Sequence, residues 1–371
     1  MEPTWAEVNL AAIGDNFLAL KSLVPPQTQL VAVVKANAYG HGAVPVAREL
    51  LARGASHLAV ARVTEGVELR QAGIATSILV LGLIGSEEVP RAVAADLTLP
   101  VSSLPLAQAL SSEAVKRGKK CSVQVKVDTG MGRIGILPRE APHLIQELKR
   151  LPGIFVEGVF SHLATADEKD PREAKGQIEI FSKLKQKLEP FQIPYFHIAN
   201  SAGILNFPEA HFDLVRAGIA LYGLWPSAAC CQKVQLKPAL SWKARLCFLK
   251  ELPAGSGISY GHTYRTERPT VVGTVAVGYG DGYSRHLSNR GQMLVAGRRV
   301  PILGRVCMDQ TMVDLTELVS MGLEPKVGDE VVLIGRQGEE EITASELAGW
   351  MGTINYEVTC LIGSRVERRY L

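Results

Sequence analysis

The sequence predicts a (β/α)8 barrel followed by a mostly-β domain, and three observations carry that prediction. Eight short apolar runs in the first two-thirds of the chain alternate with segments of helical spacing. Polar, reactive residues fall at the C-terminal ends of several of those runs, where a barrel gathers its working groups. Beyond about Pro238 the texture changes to β-like runs that follow one another with turns between. At 371 residues the chain has room for one large domain and a smaller one. We place them at 1–237 and 238–371, with Leu224 to Pro238 as the linker.

The eight runs are Leu30–Lys35, His57–Ala61, Ser77–Gly82, Leu97–Ser102, Ser122–Asp128, Phe155–Ser161, Phe196–Asn200 and Leu214–Ala217. Several are continuously apolar, as parallel strands buried on both faces should be. Between them Ile13, Phe17 and Leu20 repeat at i, i+4 and i+7. Val46 and Leu50 continue that spacing after Lys35, and Ile178, Phe181 and Leu184 mark a helix over 177–188. A doubly wound open sheet is the competing arrangement. The later β-like runs are Trp242–Leu249, Val271–Val277, Gln292–Ala296, Val300–Val306, Thr311–Leu315, Asp329–Ile334 and Val358–Val366, with one helix at Ala344–Met351. Thr4–Leu10 alternates like a strand and is expected to pair with this later sheet.

Bulk properties narrow the function. Hydrophobic residues make up 47% and charged residues 21%, which favours a packed core over disorder. A net charge of +3 without a Lys/Arg block argues against a nucleic-acid surface. No apolar stretch is long enough to span a bilayer, and Met1 to Thr4 do not begin a signal peptide. The six cysteines form no CxxC pair, and adjacent Cys230 and Cys231 have poor disulfide geometry. Reduced thiols in a cytoplasmic protein are the expectation.

Lys35 is the most informative residue. It ends the apolar run Leu30–Val34 and opens Lys35-Ala36-Asn37-Ala38-Tyr39-Gly40-His41-Gly42. A lysine at a buried strand end is partly desolvated, so its amine can be held neutral and nucleophilic, as a Schiff base to an aldehyde cofactor requires. A solvated lysine at a strand end is the plain alternative. Lys126 and Asp128, His162, Asn200 and Ser201, and Arg216 occupy the ends of other runs. The glycine-rich stretch Lys126 to Gly135 reads either as an anion-binding loop or as a structural turn flanked by Lys126 and Arg133, and it lacks Walker spacing. Asn200-Ser201-Ala202-Gly203 puts small polar residues at a helix start, where N–H groups suit a phosphate.

Taken in order, these segments resemble the alanine racemase family, pyridoxal-phosphate enzymes of barrel type. The resemblance spans almost the whole chain. It runs from Val33 to Gly42, Lys126 to Arg133, Ser161-His162, Ala199-Asn200-Ser201 and Val215 to Gly218. It continues through Ser259-Tyr260-Gly261, Gly278 to Tyr283, Gly304 to Gln310 and Ile354 to Val358. Ser161 before His162 and Gly280 before Asp281 are small departures that remove no reactive group.

The resemblance implies that Lys35 carries pyridoxal 5'-phosphate as an aldimine and that Lys35 and Tyr260 serve as two bases in the exchange of L- and D-alanine. Racemisation needs a base on each side of a planar carbanion, so two groups make chemical sense. A phenolate at Tyr260 would be favoured by His162 and Arg216; a core tyrosine with a satisfied hydroxyl is the ordinary reading. Arg216 would meet the pyridine nitrogen, where its fixed charge accepts no proton. Tyr39, Asn200, Ser201, Gly218 and Tyr356 would take the phosphate. Arg133 and the Met308 backbone would hold the substrate carboxylate, while Asp309 and Tyr279 line the pocket. Lys126 stands where the family often has a carbamylated lysine, and Cys307 would be structural. The resemblance further implies a head-to-tail homodimer with shared sites and D-alanine supply for peptidoglycan, with no metal.

Three other functions compete. A barrel-type decarboxylase would pair the pyridine nitrogen with a glutamate, against Arg216. Against a racemase for serine or a larger amino acid, Lys126 and the compact Tyr279/Tyr283 region fit a small side chain. A non-catalytic pyridoxal-phosphate homeostasis protein would be a single barrel, without Tyr260 and Cys307-Met308-Asp309.

Overall fold

The computed structural model describes residues 3–230 and 234–371; Cys231 lies outside them. The chain opens with β1 (Thr4–Val8) and then lays down β2 (Gln29–Val33), β3 (His57–Val60), β4 (Ser77–Val80), β5 (Leu99–Val101), β6 (Cys121–Lys126), β7 (Ile154–Phe160), β8 (Tyr195–His197) and β9 (Leu214–Ala217). Neighbouring strands from β2 to β4 and from β5 to β8 pair in parallel. Leu79 and Thr98 bridge β4 to the start of β5. The Arg216 amide reaches the Ala199 carbonyl at 3.0 Å and joins β8 to β9. The decisive contact is β9 on β2, with Gln29 opposite Leu214 and Ala32 opposite Ala217. That pairing closes the ring and excludes the open sheet.

Hydrophobic spacing explains the outer helices. Leu10–Lys21 buries Ile13, Phe17 and Leu20; Arg172–Leu188 buries Ile178, Phe181 and Leu184. Asn16 is also buried there. Its amide donates to the carbonyls of Leu221 and Lys237 and accepts from the Lys237 N–H, so no polar atom of that side chain is wasted.

Contact density divides the chain into two compact units, one of Ala11–Ala38 and Ala43–Lys237, the other of Met1–Leu10, Tyr39–Gly42 and Pro238–Leu371. The second unit is built on β10 (Leu240–Leu252). β10 pairs antiparallel with β1, with Glu330–Gln337 and with Thr270–Val275. The hairpin Gln292–Val295 and Arg298–Pro301 extends this sheet, and Thr311–Asp314 pairs with Thr270–Val275. The expected pairing of the N-terminal strand with the later sheet is therefore present.

Three β-domain expectations need correction. Val300–Val306 is strand only as Arg298–Pro301. Val358–Val366 is not a strand: Asn355–Leu361 is helical, and it buries Asn355, Val358 and Thr359 on a three-to-four-residue period. The β-branched Val358 and Thr359 suggested strand, but the period of burial overrides that propensity. The last strand, Glu367–Tyr370, was missed because it is charged rather than alternating. It pairs in parallel with β1 along a solvent-facing edge, where Arg369 and Arg245 lie 4.8 and 5.0 Å from the Trp5 ring.

Candidate active site

Lys35 follows β2 and is half-buried. The Val34 N–H donates to the Ala59 carbonyl at 2.8 Å, and the Tyr222 hydroxyl donates to the Val33 carbonyl at 2.8 Å, so the strand end is held from two sides. Beyond Lys35 the backbone turns left-handed. Ala36, Asn37, Ala38 and Tyr39 have φ between 51° and 53°. L-residues pay about 1–2 kcal/mol each for this conformation and seldom adopt it in succession. The turn is tied by side chains: Glu65 accepts the Ala36 N–H at 2.6 Å and also those of Ala61 and Arg62, and Asn37 accepts the Ala43 N–H at 2.8 Å. Gly40 cannot be otherwise, because a Cβ there would sit 2.1 Å from the Thr359 carbonyl oxygen. Strain of this kind clusters at functional sites, and here it lies directly beside Lys35.

In the same unit, strand ends bring Lys126, His162 and Arg216 together. Arg216 is buried, and among the described residues every partner of its guanidinium is neutral: His197 Nδ1 at 2.5 Å, His162 Nδ1 at 3.2 Å, and the carbonyls of Ser161 and Ile198 at 2.9 and 3.0 Å. Burial, with Arg133 adding, pulls its pKa down to about 9, so it remains charged at neutral pH. Lys126 is 3% exposed and sits 4.8 Å over the Phe160 ring. Burial and the cations Arg216 and Arg133 bring its pKa to about 7. His162 is held neutral by burial and by the fields of Arg216, Lys126, Arg133 and Lys35. Asp128 is engaged by its own loop: its Oδ1 accepts the N–H groups of Gly130, Met131 and Gly132, so the glycine-rich stretch is a turn organised by one carboxylate. Burial opposes ionisation of Asp128, but these N–H groups and Lys126 keep its pKa low. Arg133, at the end of that turn, is exposed.

Asn200 caps the helix Ser201–Asn206, with its Oδ1 accepting the Gly203 N–H at 2.9 Å. The buried Ser201 hydroxyl accepts the Gly218 N–H at 2.8 Å, which fixes the two small-residue loops to each other.

The other unit holds the remaining expected residues. Tyr39 is buried, its ring 6.2 Å from that of Tyr356, and burial raises its pKa. An open cleft of about 600 Å³ is lined by Tyr260, His262, Met308 and Asp309, among others. Tyr260 is 69% exposed and Met308 52%. The loop bearing Met308 rests on Gly278 to Gly280: the Tyr279 and Gly280 N–H groups donate to the Cys307 and Met308 carbonyls. A Cβ at Gly278 would meet both carbonyls at 2.3 Å, so glycine is obligatory. The Ser259 hydroxyl donates to the Arg305 carbonyl at 2.6 Å and lies 3.4 Å from Cys307 Sγ. Arg365, which sequence reasoning did not single out, pairs with Asp281 at 3.1 Å and with Asp309 at 2.8 Å and locks the two loops together. Glu65 and His197 were likewise missed.

The comparisons with known proteins bear on both units. The family model described as alanine racemase, N-terminal domain, matches residues 8–226, and that for the C-terminal domain matches 239–370. The chain belongs to the alanine racemase family. It is 49% identical to the alanine racemase of Symbiobacterium thermophilum across all of this chain and 97% of that protein. It is 46% identical to that of Halothermothrix orenii over 99% of this chain and 97% of that one. Among solved structures, the alanine racemase of Clostridium difficile 630 superposes with a TM-score of 0.94 at 40% identity, covering all of this chain and 96% of that chain. The Bacillus anthracis alanine racemase with bound L-Ala-P gives 0.91 at 40% identity, with coverages of 100% and 95%. The family's members are pyridoxal-phosphate-dependent isomerases of alanine.

The residues present fit that cofactor. A buried cluster of Arg216, Lys126 and neutral His162, with no carboxylate among the described partners of Arg216, favours an anionic guest. A half-buried lysine stands at the neighbouring strand end.

Proposed function

We propose that this protein interconverts L- and D-alanine and thereby supplies D-alanine for peptidoglycan. The observation that carries this reading is a charged, buried Arg216 whose described partners are all neutral, in the same barrel as a strand-end Lys35. A decarboxylase of this fold would set a glutamate where Arg216 stands, and a homeostasis protein would lack the 239–370 domain.

Lys35 would hold pyridoxal phosphate covalently, Arg216 would meet its ring nitrogen, and Tyr39, Asn200, Ser201, Gly218 and Tyr356 would hold its phosphate. Bound, the cofactor supplies an electron sink that makes the α-hydrogen of alanine acidic. Arg216 cannot accept a proton from that ring. Arg133 and the Met308 N–H hold the substrate carboxylate, and Asp309 and Tyr279 bound the pocket. Inversion requires the proton to leave one face of the α-carbon and return to the other; we assign the L-face to Tyr260 and the D-face to Lys35. His162 accepts from Arg216 at Nδ1, which leaves its Nε2–H to donate toward a phenolate.

Lys126, with a pKa near 7, is largely unprotonated just above neutrality and can add to carbon dioxide. The N–C bond forms, one proton leaves, and the resulting carbamate can orient Arg133 by paired hydrogen bonds. Tyr260 and Met308 belong to one compact unit and Lys35 to the other, and both Tyr260 and Met308 are exposed. We therefore read the functional form as a head-to-tail homodimer, each site combining the 1–237 barrel of one copy with the 238–371 domain of the other. Cytoplasmic residence is consistent with the free thiols of Cys121, Cys230, Cys247, Cys307 and Cys360.

Purified protein loaded with pyridoxal phosphate should abolish the optical rotation of L-alanine, and the same protein given L-serine should act far more slowly. Stable rotation with L-alanine would overturn the assignment, and faster loss with serine would redirect it. Borohydride reduction and peptide mapping should place the pyridoxyl group on Lys35; a label on any other lysine would sink that residue's role.

A further inference from the structure

Arg216 does not end its own hydrogen-bond network. Its NH1 donates to His197 Nδ1 at 2.5 Å. An arginine has only donors, so His197 must accept there and carry its proton on Nε2. That Nε2 lies 2.7 Å from Gln124 Oε1, and Gln124 Nε2 lies 2.9 Å from Glu157 Oε2. Every bond runs one way, from guanidinium to imidazole to amide to carboxylate. The amide orientation is fixed at both ends, because a carboxylate can only accept and a protonated Nε2 can only donate.

The backbone is shaped for this chain of contacts. β6 and β7 pair with Val123 opposite Val156 and then Gln124 opposite Gly158, so Glu157 is the extra residue of a β-bulge. A bulge re-aims the side chain it carries. Gly158 leaves the space that Gln124 fills: a Cβ there would come within 3.1 Å of the Gln124 amide carbon and 2.9 Å of the Tyr195 carbonyl oxygen. Phe160 stacks on His197 at 5.1 Å with 10° between the planes and fixes the ring. His197 and Gln124 are 0% and 2% exposed.

We propose that Gln124 and Glu157 are positioning residues for the reaction: they set the tautomer of His197 and thereby hold Arg216 in place at the pyridine nitrogen. This rests on the racemase reading. Were the Gln124 amide reversed, His197 would take its proton on Nδ1, two donors would confront each other, and Arg216 would have to move. Burial and the fields of Arg216, Lys126 and His57 keep His197 neutral, so its proton position carries the information.

The test uses the holoenzyme labelled with ¹⁵N-histidine, its His197 signals assigned by their loss in His197→Asn. In the wild type, Nε2 should report an attached proton and Nδ1 a hydrogen-bonded acceptor. Gln124→Met removes both ends of the amide; it should shift both nitrogens and lower kcat about 10-fold, a typical cost of losing an orienting outer partner. KM for alanine should change less, because the carboxylate contacts are elsewhere. Gln124→Glu, by taking up one proton that it donates to Glu157, keeps an acceptor for Nε2–H and should retain the nitrogen signature and most of the turnover. If Gln124→Met does not fold, Glu157→Leu should move the same two signals to a smaller extent. Wild-type ¹⁵N shifts and kcat in a folded Gln124→Met or Glu157→Leu would overturn the proposal, as would equal losses in Gln124→Met and Gln124→Glu. Absence of racemisation by the wild type would instead refute the functional reading, with the nitrogen signals still deciding the relay.

Discussion

Tyr260→Phe should bind cofactor normally and lose alanine racemisation by about 10²–10⁴-fold, the usual cost of removing a general base. The substitution removes one oxygen from a ring that is 69% exposed, so packing loss cannot mimic the effect. The turn Tyr260–His262 is shaped by backbone, with Ser259 at φ 61° and Gly261 at φ 71°, and neither depends on the hydroxyl. One function should survive. If Lys35 serves the D-enantiomer, D-alanine should still exchange its α-hydrogen with deuterated solvent while inversion fails. Polarimetry in both directions and mass measurement of recovered D-alanine separate these outcomes. Near-normal turnover would make Tyr260 an ordinary tyrosine.

Arg216→Glu should lower racemisation by about 10²–10³-fold, the scale for losing a preorganised charged group in an active site, and should raise the pyruvate formed per racemisation event. The mechanism is local. Facing the ring nitrogen as proposed, wild-type Arg216 would lend positive charge but no proton acceptor, whereas a glutamate there would keep that nitrogen protonated and strengthen the cofactor as an electron sink. Proton delivery away from the α-carbon then becomes competitive, and the amino group is lost. The new carboxylate would also meet His197 Nδ1, His162 Nδ1 and two carbonyls, all placed to accept from a guanidinium. It must capture a proton or force a histidine to do so, and some stability will go with it. The measurement is the ratio of products in folded, cofactor-loaded protein. An unchanged ratio would show that Arg216 is only a structural bridge.

The barrel was legible because its signals are local. Lys35, Lys126, His162 and Arg216 each follow a short apolar run, and strand period plus strand end suffice to locate them. What stayed hidden depends on partners distant in the chain. Nothing around Arg365 announces that it will meet Asp281 and Asp309. Glu65 reads as a helix surface charge until it is seen holding the Ala36 N–H. His197 looked like one more residue in an apolar run, yet it is the closest partner of Arg216. The helix Asn355–Leu361 was misjudged for another reason: β-branched residues argued for strand, while a buried stripe at helical spacing was already present. The glycine-rich turn after β6 was ambiguous because its organiser, Asp128, lies at its own start and competes with no motif of known spacing.

The left-handed turn at 36–39 also constrains what substitutions this chain can accept. In most exposed loops, replacing alanine by valine, isoleucine or threonine is nearly silent. At exposed Ala36 the ranking should invert the usual hydrophobic scale. β-Branched side chains suffer most in this backbone region, whereas asparagine, aspartate and glycine are admitted. Glycine would relieve the local strain and also widen the unfolded ensemble, so its apparent gain in tolerance would come with a less fixed approach to Lys35. A saturation library would therefore show a stretch that prefers small or turn-forming residues for stability but narrows further under selection for turnover. The gap between those two tolerance profiles would measure how much of the turn's rigidity is kept for chemistry rather than for folding.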